Sequence, residues 1–447
     1  MQAFKSKTFK RILSLIVLVL MLIGAYELIT KNIENYTYGI DFSKDLKEIE
    51  KSGEPVDIVF MGASRLHRSM VPEIFEEILS LDNVLVASTS FQPISGSYYY
   101  IKQMIKDVHP KKIILDVTWD RMLNPKQSQA LLLVYDRLSG LNKIDFAINC
   151  FDKENRRYLL GPCRFRDNLT VLDSVRREKK NLETLGYNPD SPMADLYQSK
   201  GFVDSIGGNT TGSITYDSSE NFDYYDALVL EENKEYLDKC IEICKENNVE
   251  IELVTAPCSV TYMYYVDGYD DAVNWYKEYA KEKGVKYINL NYLIGREEFL
   301  PDEYMADLVH TTGKGAKIIS EKYAELLFKE SMGEDISSYF YENLDEFKKD
   351  VHRIVALEAQ IEYAGNADAD GNITATVHLS SLKNTDANAY YQIELQVDGS
   401  EETTILSEFS QEETVSLNLP GYTGYKLIVR AKSQYEGDKE AKMIYSY

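Results

Sequence analysis

The chain has 447 residues, 44% of them hydrophobic and 27% charged, which is the composition of a globular protein with room for two or three domains. A net charge of −23 excludes a nucleic-acid partner, because phosphate binding needs a basic surface. Five scattered cysteines, an odd number, exclude a disulfide framework, and the 34 tyrosines fit either a carbohydrate-facing surface or mere compositional bias.

Residues 1–31 read as a cytoplasmic tip and a transmembrane anchor. Lys5, Lys7, Lys10 and Arg11 precede a charge-free run over 12–26, and Glu27 closes it. With snorkelling at both ends the run approaches the ~20 residues of a span. Basic residues on the N-terminal side put that end in the cytoplasm and the bulk of the chain outside the cell membrane. A cleaved signal peptide is the competing reading, although Gly24-Ala25-Tyr26 is a weak cleavage site. Residues 32–52 are polar and form a stalk or a short helix.

The next domain is predicted over 53–332. Residues 56–61 are mostly apolar and run into Gly62-Ala63-Ser64, after which a helical pattern covers 70–79. A buried strand, a tight turn and a helix follow from that pattern, with Ser64 at the carboxyl edge of a sheet. Ser64 is there either a helix cap or a nucleophile. A second strand is expected at 83–87 and a hydroxyl-rich loop at 88–97, holding Ser90, Gln92 and Gly96. A helix follows at 98–108, stopped before Pro110, and then a strand at 112–117. Regular alternation lapses over 125–226, an insertion that is either a lid or a peripheral subdomain. It resumes with a helix at 231–247, a strand at 250–257, a helix at 271–283, a strand at 285–290 and a last helix at 315–330. Strands alternating with helices predict an α/β domain, a parallel sheet covered on both faces. Cys240 and Cys244, four apart on a helix, suit packing better than metal binding, since no matching pair follows.

Residues 333–350 form a charged connector. From 351 to 447 the period changes to two, as at 373–379, 391–397 and 425–431, with Gly/Asn/Asp turns between. About seven such strands predict an all-β sandwich of immunoglobulin or fibronectin type.

One more pattern alters the reading of Ser64. Asp307-x-x-His310 stands just before the last helix, and His310 is one of only five histidines. An imidazole could take the proton of a serine hydroxyl, and a carboxylate could hold the imidazole in the right tautomer. At this point the chain resembles the SGNH/GDSL hydrolase superfamily, through Gly62-Ala63-Ser64, the βα alternation and Asp307-x-x-His310. The resemblance implies Ser64 as nucleophile, His310 as general base then acid, and Asp307 as orienter, with no metal or other cofactor. Two departures are evident. Ala63 stands where that family has aspartate, and Thr118-Trp119-Asp120 replaces its Gly-x-Asn-Asp block, so its asparagine oxyanion donor is missing. Donors would then come from the Ser64 N–H and the 90–96 loop, with Gln92 either a donor or a brace. Gly62-x-Ser64-Arg65, Ser90-x-Gln92 and Gly96-Ser97-Tyr98-Tyr99 resemble a membrane-anchored subgroup that includes DltD and the alginate O-acetylation proteins. This implies O-acyl transfer or ester cleavage on a cell-envelope polysaccharide, beside a membrane-bound O-acyltransferase. A non-catalytic polysaccharide-binding scaffold is the alternative.

Overall fold

The computed structural model describes residues 7–34, 40–119, 122, 128–159, 195–205, 222–223, 229–350 and, with short breaks, 354–446. Expectations for 1–6, 160–194 and 206–221, Cys163 among them, lie outside the described residues.

A helix covers Lys7–Glu34, and the large apolar side chains from Ile12 to Leu22 are about half exposed. Among the described residues no helix is long and apolar enough to cross a membrane. A second helix, Ile40–Ser52, occupies most of the predicted stalk and buries Phe42 and Ile49 in the main core.

The central sheet begins with β1 (Ile58–Gly62), β2 (Val84–Ser88) and β3 (Lys112–Asp116). A hairpin from the insertion, β4 (Asp195–Ser199) and β5 (Phe202–Ser205), stands outside it. The sheet continues with β6 (Glu250–Thr255) and β7 (Lys286–Asn289). Its order is β2-β1-β3-β6-β7 and every pairing is parallel. Neighbouring residues in a strand point to opposite faces, and both faces here are buried, so the strands are almost wholly apolar. Val59, Met61, Leu85, Ile113, Leu115 and Leu253 face one layer of helices. Ile58, Phe60, Val86, Ile114 and Val254 face the other, which includes Phe75 and Tyr323. Tyr100, Tyr276, Tyr292 and Tyr323 are fully buried, so a share of the tyrosine is core packing and not ligand surface. Cys240 and Cys244 are buried in the first of these layers.

The chain order reverses direction across β1 and β3, and the crevice beyond the carboxyl ends at such a switch is where open parallel sheets bind ligands. Ser64 follows β1 directly.

The insertion is partly built against this domain. Its helices Ser128–Arg137 and Gly140–Cys150 pack on the helix Ile94–Val108. The β4–β5 hairpin covers the exposed edge of β2, with Val86 N–H donating to the Lys200 carbonyl at 2.8 Å. Gly201 makes this approach feasible: its φ is +94°, and a Cβ would lie 1.9 Å from the Val86 carbonyl oxygen. Lys200 pairs with Glu76 at 2.6 Å, and Ser199 donates to Glu73. Edge coverage of this kind removes a row of unpaired backbone groups.

The C-terminal strands form two antiparallel sheets around one core. Ile354–Ala364, Ile373–Lys383 and Thr414–Leu419 make a three-stranded sheet. Thr403–Ser410, Tyr390–Val397, Tyr425–Lys432 and Ala441–Ser446 make a four-stranded one, in that order. Val377, Ile393, Leu427 and Val429 lie between them. The connector is docked, because Leu344 and Phe347 share a core with Val260, Met263 and Val355.

Candidate active site

Ser64 is the first residue of a one-turn helix, Ser64–His67, entered straight from β1. The residue in the capping position is Ala63, and Ser64 makes no capping bond. Its hydroxyl lies instead 2.9 Å from His310 Nε2. His310 Nδ1 lies 2.7 Å from Asp307 Oδ2. The other carboxylate oxygen of Asp307 accepts from the N–H groups of Val309 (2.8 Å) and His310 (2.9 Å). The three side chains form an unbroken relay from carboxylate to hydroxyl.

Two stretches of sequence 246 residues apart meet because the helix Gly313–Ser331 is tied to the serine segment. Ser320 accepts from Val71 N–H at 2.9 Å and donates to the Ser69 carbonyl at 3.0 Å. Thr311, next to His310, donates its hydroxyl proton to the Arg68 carbonyl. Thr312 caps the helix through Gly315 N–H and also bonds the Tyr304 carbonyl. The insertion reaches the same junction, because the Asp204 carboxylate of β5 packs against the backbone of Gly313. A Cβ on Gly313 would lie 2.1 Å from the Asp204 carboxylate, so the glycine is demanded by contact.

Burial grades along the relay. The serine is 7% exposed, the imidazole 17% and the aspartate 52%. Burial pushes the Asp307 carboxyl up, but the bond to His310, that ring's charge and the two backbone N–H groups outweigh it and hold the carboxyl below the ordinary range. Asp307 is therefore ionised at neutral pH, as an orienting carboxylate must be.

Gly62 belongs to the site by contact. A Cβ there would lie 2.6 Å from Asp116 Cβ, at the end of the neighbouring strand. Asp116 itself is buried, and accepts from the Thr118 hydroxyl and from Ala256 N–H.

Other candidate residues are placed differently. The helix expected at 98–108 begins at Ile94, so Gly96 lies inside its first turn. Its bare Cα lets Val134 and Pro93 pack close, with 2.8 Å from a notional Cβ to Val134 Cγ2. Gln92 turns inward: its amide donates to Ser97 Oγ (3.0 Å) and Met61 Sδ (3.3 Å), and its oxygen accepts from Thr89 (3.2 Å). Both amide hydrogens are thus committed, and Gln92 braces the loop and does not supply an oxyanion donor. Arg65 is buried with Nη2 3.1 Å from the Tyr262 hydroxyl and its guanidinium 4.8 Å over that ring, joining the serine helix to Val260–Tyr265. Ser90 is half-buried in the loop, and among the described residues no hydrogen bond joins it to the relay.

Two surface concavities lie away from the relay, one lined by Asn274, Trp275 and Tyr279 and another by Tyr292, Ile336 and Phe340. One residue escaped the sequence reading. His67, three positions after Ser64, is buried with Nδ1 3.0 Å from Ser88 Oγ. Helical spacing from Ser64 was the available signal.

The fold and the relay together define a class: an α/β protein whose parallel sheet presents a Ser-His-Asp chain at its carboxyl edge. No protein-family model matches the chain, and no curated protein does. Among solved structures, a Bacteroides fragilis NCTC 9343 protein described as a "putative acylhydrolase" is 12% identical, over 64% of this chain and 97% of its own, at a TM-score of 0.28. A Listeria innocua beta-glucosidase solved with glucose is 12% identical, over 87% of this chain and 71% of its own, at a TM-score of 0.13. At such TM-scores neither likeness bears on fold or chemistry.

Proposed function

We propose that the protein is a serine-dependent O-acyl transferase or esterase working through an acyl-Ser64 intermediate. The observation that carries this is the relay of 2.9 and 2.7 Å linking Ser64, His310 and Asp307 at the carboxyl edge of the sheet. Ser64 Oγ attacks the acyl carbonyl carbon while its proton passes to His310 Nε2, and the π pair moves onto the carbonyl oxygen. Collapse restores the carbonyl and breaks the bond to the leaving alkoxide, which takes the proton from His310. Water or an acceptor hydroxyl then repeats the sequence in reverse, so hydrolysis and transfer differ only in the acceptor.

The resemblance to SGNH-type proteins of the DltD and alginate O-acetylation group supports an acetyl group and an envelope polysaccharide as the substrate pair, with a membrane-bound O-acyltransferase as partner. The half-exposed apolar side chains of the Lys7–Glu34 helix and the basic residues before them support attachment to the membrane with the N-terminus inside. We read the C-terminal pair of sheets as a fibronectin-like spacer or glycan-facing module.

Mass spectrometry of the folded chain after fluorophosphonate treatment tests the chemistry. A single adduct on Ser64, lost in His310→Ala, is the expected result; folded protein without that adduct overturns the reading. The commitment of Gln92 to internal partners favours a second reading, a non-catalytic polysaccharide-binding scaffold. A Ser64→Ala variant that keeps full cellular function selects the scaffold, and loss of polymer acylation excludes it.

A further inference from the structure

An oxygen that takes up the carbonyl electrons needs two donors fixed in advance. The N–H of Ser64, beside the nucleophile, is one; Gln92 is committed elsewhere. His67 lies one turn along from Ser64, the spacing that brings two side chains of a helix together. Its Nδ1 meets Ser88 Oγ at 3.0 Å, and Ser88 closes β2 opposite Gly62, at the same edge as the nucleophile. Among the described residues Nε2 has no hydrogen-bond partner, and the residue is 8% exposed, so the ring is not wholly sealed.

We propose that the Ser88 hydroxyl donates to His67 Nδ1, fixing the tautomer protonated on Nε2, and that this Nε2–H is the second donor to the oxyanion formed when Ser64 attacks. The inference rests on the acyl-enzyme reading above. During attack the Oγ–C bond forms and the π pair moves to oxygen; His67 stabilises that charge through its hydrogen bond and keeps its proton. When the carbonyl re-forms, the pair returns and the hydrogen bond weakens. Burial, with the charges of Arg68, His310 and Arg137 around the ring, pulls its pKa down to about 3. His67 accordingly stays neutral, and so weak a base, with its one lone pair turned to Ser88, does not compete with His310 for the serine proton.

The full chain is assayed with p-nitrophenyl acetate. His67→Ala should lower kcat by about 10²- to 10³-fold with KM little changed, the size of loss when one oxyanion donor goes. His67→Gln, whose amide reaches toward the Nε2 position, should recover most of that loss. Nitrogen-15 NMR should find Nδ1 unprotonated. Wild-type kcat in His67→Ala, where Ser64→Ala is inactive, overturns the inference and leaves the acyl-enzyme reading intact. Equal losses in His67→Ala and His67→Gln with lowered Tm, or a proton on Nδ1, also overturn it. Turnover retained by Ser64→Ala fells both.

Discussion

The two edges of the central sheet each hold a buried polar cluster, and they are built to opposite ends. At the amino edge, Glu252 is 1% exposed between β3 and β7. Lys112 reaches it at 2.8 Å, Lys286 at 3.9 Å and the Tyr323 hydroxyl at 2.7 Å. Burial lowers the Lys112 pKa, but Glu252 and Glu250 outweigh it and the ammonium is held above its ordinary value. Every charge there has a counter-charge. At the carboxyl edge, the relay runs from a half-exposed carboxylate to a buried hydroxyl, with no cation paired to the serine. A compensated cluster locks strands together, whereas an uncompensated chain of bonds leaves a proton free to move. Perturbed groups alone do not mark a function; the direction in which the bonds lead does.

The sharpest way to break this contrast is to remove one member from each edge. His310→Gln should lower p-nitrophenyl acetate turnover by about 10³-fold or more, with Tm nearly unchanged. Glu252→Gln should do the reverse. It leaves Lys112 only the exposed Glu250, at 2.9 Å, so the cost falls at or below the low end of the about 3–5 kcal/mol for breaking a buried pair, while turnover per folded molecule holds. Denaturant titration with an activity assay separates the two. A Tm loss in His310→Gln as large as in Glu252→Gln would show that the relay is merely structural.

Much of this organisation was legible in the chain, and the boundary of legibility is physical. Strands buried on both faces leave apolar runs, so 56–61 and 112–117 are visible, and 250–257 is visible through Ile251, Leu253 and Val254 although Glu252 lies among them. Asp307 and His310 were visible because three residues span the loop that brings carboxylate to imidazole. The start of the helix at Ile94 was not, since Ser95, Gly96 and Ser97 are weak helix formers. They are helical here because packing against Val134 and Pro93 outweighs propensity. The role of Gln92 was equally hidden, as a glutamine in a loop reads the same whether its amide faces substrate or Met61. Nor does any side-chain pattern announce the β4–β5 hairpin on the edge of β2, because the joining bond is between backbone groups of Val86 and Lys200.

A smaller perturbation tests whether the carboxyl edge tolerates volume. Gly62→Ala puts a methyl 2.6 Å from Asp116 Cβ, in a wall made by the buried side chains of Asp116 and Leu66. Such overpacking costs about 1–3 kcal/mol. Because the displaced strand end carries Ser64, turnover should fall with stability. Gly96→Ala, meeting the end of Val134 instead, should cost stability with a smaller loss of turnover. Parallel measurement of Tm and kcat decides it, and equal kcat losses would show that Gly62 has no special link to the nucleophile.

The mildest effect concerns protons at the carboxyl edge. In the unfolded chain His67 titrates near the ordinary histidine value of 6.5; in the fold its pKa is about 3. The unfolded state thus binds the extra proton between those values, and folding stability must fall as pH is lowered through that window. The slope tends to about 1.4 kcal/mol per pH unit from this ring alone. Above pH 6.5 both states are neutral at His67 and its contribution is flat. Asp307 acts in the same direction but lower, since a carboxyl held below its ordinary value keeps its contribution until pH falls beneath the usual carboxylate range. Denaturant midpoints between pH 7 and pH 4 should therefore drop less steeply in His67→Gln than in the parent. Parallel curves for His67→Gln and parent would mean that the imidazole takes up its proton as readily folded as unfolded, which a buried ring held in one tautomer by Ser88 would not do.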